Sequence, residues 1–206
     1  MGFSMKIKRV HKSAREREDE ILAAATRVFA DRGYQVADMQ AIAELAGVGK
    51  GTLYRYFPSK ESLFVSALQR QLDGLKTVAE RARDTHADPL QKLRAVMLAY
   101  LEYFAANPEF VELLVQERAE FRNQTASLYF VRAQESRPYW LALFREIKAA
   151  YPVRDLDEED MMDVCAELVH SAAVSDNSPF SKKPPDRQLE IIFEIYTRGI
   201  MTPGDG

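Results

Sequence analysis

The chain is poor in the residues that staple, chelate or span. One cysteine, Cys165, stands among 206 residues, which excludes a disulfide within the chain. Three histidines, His11, His86 and His170, are scattered, and only His170 lies near Cys165. Five residues apart on a helix, those two side chains diverge, and nothing nearby completes a metal-ligand set. No run of eighteen apolar residues occurs, so no membrane-spanning helix is expected. The start, MGFSMKIKRVHK, is basic but no apolar stretch follows it, which argues against a secretory signal and for a cytoplasmic protein. Met1 and Met5 both stand as possible natural starts. Strand-like alternation, phosphate loops, a dinucleotide fingerprint and a Ser-His-Asp order are all missing. The acids Asp155, Asp157, Glu158, Glu159 and Asp160 lack the turn glycine of a calcium loop and suit a helix N-terminus better. No catalytic residue, cofactor or metal is therefore expected, and the chain does not read as an enzyme.

What is present is a globular composition, 47% hydrophobic and 29% charged. Net charge is −3, but it is unevenly spread. Residues 1–72 carry 12 Lys+Arg against 8 Asp+Glu, while residues 73–206 carry 16 against 23. A basic third on an acidic remainder is the asymmetry of a protein that meets a polyanion with one end. A solvated basic tail accounts for part of it, because Lys6, Lys8, Arg9, Lys12, Arg15 and Arg17 supply half of those cations. Glycine points the same way: four of nine, Gly33, Gly47, Gly49 and Gly51, lie within one short segment.

Apolar residues recur at helical spacing along almost the whole chain. Helices are expected over about 14–32, 39–46, 50–57, 60–83, 90–106, 109–119, 121–150, 158–175 and 187–201, with Pro138 kinking or splitting the seventh. Asp38, Ser59, Asp88, Asn107, Asp157 and Asp186 are the expected caps, two of them followed by proline at the first helical position. The fold class is all-α, about nine helices.

Residues 38–57, DMQAIAELAGVGKGTLYRYF, read as a helix-turn-helix: two short helices joined at Gly47, with Val48 buried between them and Ile42, Ala43 and Leu45 on the inner face. One such helix fits the major groove of DNA while the other braces it across the phosphates. Lys50, Thr52, Tyr54, Arg55 and Tyr56 offer donors and aromatic faces, Gly49 and Gly51 allow close backbone approach, and Phe57 and Leu53 read as core. Lys60 follows on the next helix.

The run AELAGV through GTLYRYF to Lys60, Glu61 and Leu63, within a match over residues 14–72, resembles the TetR/AcrR family of bacterial transcriptional regulators. The resemblance implies a flexible basic extension over 1–13, a DNA-binding domain over 14–60 and a ligand-binding and dimerisation domain over 61–206. It implies a homodimer on double-stranded, pseudo-palindromic operator DNA, without membrane attachment. Met39 and Gln40 would open the second helix on the DNA, Lys50, Gly51, Thr52, Tyr54 and Arg55 would meet it from the third, and Tyr56 and Lys60 would hold phosphates. Met39 departs from the hydroxyl residue common at that position. The extension from Lys6 to Arg17 is placed to reach an adjacent minor groove. The expected activity is that of a repressor, released from its operator by a small apolar effector and associated with the nucleoid when bound.

Aromatics crowd the middle of the chain. Tyr100, Phe104, Phe110, Phe121, Tyr129, Trp140 and Phe144, with the polar residues Glu117 and Arg118 beside them and Arg122 beyond, suggest an effector cavity near Pro138, bounded by the fifth, sixth, seventh and eighth helices. The last two helices are apolar on most sides, which predicts a four-helix bundle across a twofold axis through Met161, Cys165, Leu168, Ile192, Phe193 and Tyr196. A helical adaptor protein is the competing class; it leaves the basic third and the polar, aromatic outer face of the third helix without a purpose.

Overall fold

Helix starts in this chain follow from side chains that satisfy orphan backbone donors. The computed structural model describes residues 13–121, 126–175 and 178–202, and among them it has nine α-helices and no strand. Ser13 and Glu16 close a reciprocal capping box that begins α1, Ala14–Val36. Asp38 caps α2, Met39–Leu45, and Gly49 precedes α3, Lys50–Tyr56. Ser59 and Ser62 exchange bonds at the start of α4, Lys60–Arg83. Asp88 caps α5, Pro89–Ala106, and α6, Pro108–Phe121, follows Asn107. Then come α7, Leu128–Ala150, α8, Glu158–Val174, capped by Asp157, and α9, Pro185–Ile200. The one β feature among the described residues is an isolated bridge between Val153 and Met201.

Four expectations change. Gly33, with the non-helical φ 78° and ψ 156°, breaks the first helix where the sequence places its end, but a further helical turn runs on beyond it to Val36, and the Gly33 carbonyl accepts from Ala37 N–H. The helix expected from Phe121 starts only at Leu128, and Phe121 closes α6 instead. Pro138 neither splits nor ends α7, although it removes the bond to the Gln134 carbonyl. Asp186 lies inside the first turn of α9 instead of capping it, because Pro184 and Pro185 set the entry geometry.

The chain divides into two compact units, 1–67 and 68–206, with the division inside α4. In the first unit, Ile21, Ala25, Phe29, Ile42, Ala43, Leu53, Leu63 and Phe64 are fully buried. Phe29 and Phe64 meet edge to face at 5.1 Å. Leu45 departs from expectation: it is 54% exposed, and Val48 is only half-buried. In the second unit, α5 packs against α6, α7, α8 and α9 around Leu93, Met97, Leu101, Leu143, Ile147 and Met161. Glu146 on α7 accepts from Lys92 at 2.6 Å and Arg83 at 3.2 Å, tying three helices together. The basic extension falls on residues outside the described ones, apart from Ser13, Arg15 and Arg17. None of the described helices is long and apolar enough to cross a membrane.

Candidate nucleic-acid interface and ligand cavity

The turn between α2 and α3 is a Schellman motif. Gly47 N–H bonds the Glu44 carbonyl at 3.1 Å and Val48 N–H bonds the Ala43 carbonyl at 3.0 Å, with Gly47 at φ 66°. That left-handed residue sets the crossing of the two helices. Leu53 and Phe57 are buried at 0% and 5%, which turns the opposite side of α3 outward. Lys50, Gly51, Tyr54 and Arg55 are exposed; Thr52 and Tyr56 are half-buried. The Arg55 guanidinium lies over the Tyr56 ring. A Cβ added at Gly49 or Gly51 would meet nothing within 4 Å, so neither glycine is demanded by packing inside the chain.

Three residues assigned to DNA by resemblance are placed differently from the rest. Met39 is buried at 5%, part of the unit's core. Gln40 is exposed but donates to Glu44 on its own helix at 2.7 Å. Lys60 donates to the carbonyls of Gln35 at 3.0 Å and Ala37 at 3.3 Å, and its ammonium lies over the Tyr34 ring. It thereby holds the chain that leaves α1. Half-buried Tyr56 donates to the Ala14 carbonyl at 3.4 Å, a long bond.

The second unit contains a cavity of about 570 Å³ between α4, α5, α7 and α8. Its buried walls are mostly apolar, with Leu72, Leu93, Met97, Phe144 and Met162 among them, while charged side chains such as Asp73, Lys76, Arg132, Glu135, Arg137 and Asp163, exposed or half-buried, also line it. Of the aromatics proposed from sequence, Tyr100, Tyr129, Trp140 and Phe144 line it. Phe104 and Phe110 do not; they stack on each other at 4.8 Å within the core, which keeps α6 off the cavity and leaves α4 as the fourth wall. Phe121 is buried at 8% without reaching the cavity, and Arg118 is exposed. Glu117 has another task. Its carboxylate accepts from Leu128 N–H at 2.5 Å and from the Ser127 hydroxyl at 2.7 Å, capping α7. Arg122 lies outside the described residues.

At one end of the cavity Tyr100 Oη lies 2.9 Å from Tyr129 Oη and 2.7 Å from His170 Nδ1, and the Tyr129 ring stacks on the imidazole at 4.6 Å. Burial pushes both tyrosines up and His170 down, so all three are uncharged at neutral pH. Where charge is exposed, Arg137 pairs with Asp163 at 2.5 Å and Glu159 at 3.0 Å, and Arg132 lies 3.6 Å from Asp73. Sequence reasoning weighed His170 only as a metal partner of Cys165. The usable signal was its place in the stripe Met162, Cys165, Ala166, Val169, His170, all of which line the cavity at helical spacing. Cys165 is a wall of that cavity, its thiol pushed up to about 12 by burial, and among the described residues no cluster of ligating side chains could hold a metal.

The residues expected at a subunit interface separate into two groups. Met161, Cys165, Ile192 and Tyr196 are buried in the chain's own core, and Tyr196 donates to the Met161 carbonyl at 2.6 Å. Leu168 is 41% exposed and Phe193 half-buried. The remaining exposed large apolar side chains on these helices are Val164 and Ile195, which belong to the apolar set of the two helices but not to the six residues expected at the interface. The cavity explains the difference: it turns the 162–170 stripe of α8 inward, so the outward stripe is 164 and 168.

A helix pair turned by glycine, an outward polar face and a second helical unit with a cavity are the features of a two-unit helix-turn-helix protein. The profile described as "Bacterial regulatory proteins, tetR family" matches residues 21–67. The HTH-type transcriptional repressor BepR of Brucella suis is 32% identical over 141 residues, 67% of this chain and 67% of that protein. The chain belongs to the TetR family. The HTH-type transcriptional activator FasR of Mycolicibacterium smegmatis is 39% identical over 101 residues, 49% of this chain and 46% of its own length. The match thus spans about half the length of that relative. In fold, the chain is similar to the structure titled as ketosteroid transcriptional regulator KstR2 of Mycobacterium tuberculosis, with a TM-score of 0.69, 24% identity, and coverage of 95% of this chain and 100% of that one.

Proposed function

We propose that this protein is a ligand-responsive, sequence-specific transcriptional repressor that binds a pseudo-palindromic operator as a homodimer in the bacterial cytoplasm. The observation that carries the reading is the outward face of α3. Lys50, Tyr54 and Arg55 are exposed beside two glycines that the fold does not require. Such a face offers phosphate donors, base-edge donors and room for close backbone approach. BepR and the KstR and KstR2 proteins are named repressors, while FasR is named an activator. Symmetry supplies the rest: two recognition helices meet half-sites about one helical turn, ~34 Å, apart.

The cavity supports a mostly apolar effector of ordinary small-molecule size. KstR2 is named a ketosteroid regulator, and ketosteroids are apolar bodies with a carbonyl; that chemistry suits the buried walls of this cavity. An effector that favours the conformation with the wrong half-site separation empties the operator if it binds that state by roughly 5.5 kcal/mol more tightly. α4 supplies Leu63 and Phe64 to the core of the first unit and Leu72 and Leu75 to the cavity of the second, so it is the proposed lever.

The test is to sequence the genomic fragments that the pure protein retains. A two-fold-symmetric motif is expected, and Tyr54→Ala should weaken retention at least tenfold with unchanged unfolding, an effect of about 1.4 kcal/mol. Retention without sequence preference, or indifference to Tyr54→Ala and Lys50→Ala together, would sink the reading and favour a helical adaptor.

A further inference from the structure

We propose that Tyr100, Tyr129 and His170 form a polar subsite at one end of the cavity that takes a single uncharged oxygen, a ketone or hydroxyl, on an otherwise apolar ligand. This rests on the effector-cavity reading above and adds the chemistry of the ligand's recognised end.

The placement comes first. Tyr100, Tyr129 and His170 are the outermost cavity-lining residues at the same end of α5, α7 and α8, and their hydrogen bonds bring the three helices together there. Away from that end the buried wall is made of groups such as Leu93, Met97 and Phe144. The other polar lining residues, among them Asp73, Lys76, Arg132, Glu135, Arg137 and Asp163, are exposed or half-buried, and the cations Lys76, Arg132 and Arg137 are each paired with an acid. A ligand in the buried part of the cavity therefore meets its uncharged polar contact at the Tyr-Tyr-His end.

Proton counting gives the chemistry. Tyr100 has one proton for two neighbours. If Tyr100 donates to His170 Nδ1, Tyr129 donates to Tyr100, and the imidazole carries its proton on Nε2. If Nδ1–H donates to Tyr100, Tyr100 donates to Tyr129, and Tyr129 keeps a free O–H. Either way the cluster has one donor and one acceptor left, at Tyr129 Oη and His170 Nε2. Neither atom has another hydrogen bond among the described residues. A ketone accepts from the donor that either arrangement presents, Nε2–H in the first and Tyr129 O–H in the second, and a hydroxyl can use both the donor and the acceptor. Charge disfavours an anion. The cluster is neutral, and Glu167, which lines the same end, acts on all three groups through its negative charge. The one cation that acts on His170, Arg118, is exposed and outside the cavity lining.

Two matched probe series test this. One is rigid: androstane, its monoketone and its monocarboxylic acid. The other is flexible: pentadecane, the methyl ketone of the same length, and pentadecanoic acid. Trp140 is the only tryptophan and lines the cavity, so its emission reports binding. In at least one series the ketone is expected to bind about tenfold or more tighter than the hydrocarbon and tighter than the acid at neutral pH. In Tyr100→Phe/Tyr129→Phe/His170→Phe that preference should vanish while hydrocarbon affinity stays within about threefold of the original. Should the triple variant lose hydrocarbon binding as well, the isotope-labelled carbonyl stretch of the bound ketone decides in the unaltered protein: a shift to lower frequency supports the subsite, and a stretch at its value in dry hydrocarbon overturns it. The subsite is also overturned if neither ketone outbinds its hydrocarbon, if an acid binds tightest, if no probe binds, or if the preference survives the triple variant. DNA retention is measured in the same samples. Release without oxygen preference removes the subsite and keeps the effector reading; oxygen preference without release does the reverse.

Discussion

Lys60 shows how a residue type can suit two tasks at once. A lysine one turn past the recognition helix suits a phosphate, yet here its ammonium bonds the carbonyls of Gln35 and Ala37. Lys60→Ala is expected to lower the stability of the first unit by about 1 kcal/mol, read by urea unfolding. Lys50 is exposed, and Lys50→Ala should leave unfolding unchanged while reducing the salt slope of DNA binding by about 1. Weakened DNA binding in Lys60→Ala with unaltered unfolding would show that the carbonyl bonds contribute nothing. His170 yields a pH prediction. Burial, opposed by Glu167 and aided by Arg118, holds its pKa below 6.5. Between that depressed value and 6.5 the unfolded chain binds more protons than the folded one, so stability falls as pH drops through this window. The urea midpoint of the unaltered protein should fall more between pH about 7.5 and about 5.5 than that of His170→Gln; equal falls would show that His170 is not the group responsible.

Among the elements, α4 carries an instructive glycine. Gly74 sits inside the helix at a propensity cost of about 1 kcal/mol relative to alanine. A Cβ there would overlap the Tyr103 hydroxyl, which donates to the Gln71 carbonyl at 2.9 Å and pins α5 to α4. Gly74→Ala should therefore destabilise by about 1 kcal/mol or more instead of stabilising. In a Tyr103→Phe background the loss should shrink, and a double-mutant cycle with no coupling would refute the clash. Element starts were legible wherever the signal is local: Asp88-Pro89 and Asn107-Pro108 open α5 and α6 where the sequence places them. The start of α7 was not, because its cap is the Glu117 carboxylate, eleven residues upstream of Leu128.

For the whole molecule the exposed apolar set on α8 and α9 is Val164, Leu168 and Ile195. If a second copy covers it, Leu168→Glu with Ile195→Glu should convert a dimer into a sedimenting species of 23.5 kDa, with unchanged helix content. An unaltered protein that already sediments at 23.5 kDa would remove the dimer.

The all-α class, the helix-turn-helix at 38–57 and the outward position of Tyr54 beside buried Leu53 and Phe57 were written in short-range patterns: period, caps and glycines act within a few residues. Which apolar stripe of α8 faces inward, that α4 and not α6 walls the cavity, and that Met39, Glu117 and Lys60 serve the fold were decided only by packing. A side chain's partners are set by what lies across the core from it, and residues far apart in the chain, such as Tyr100 and His170, become neighbours only when the helices close around the cavity.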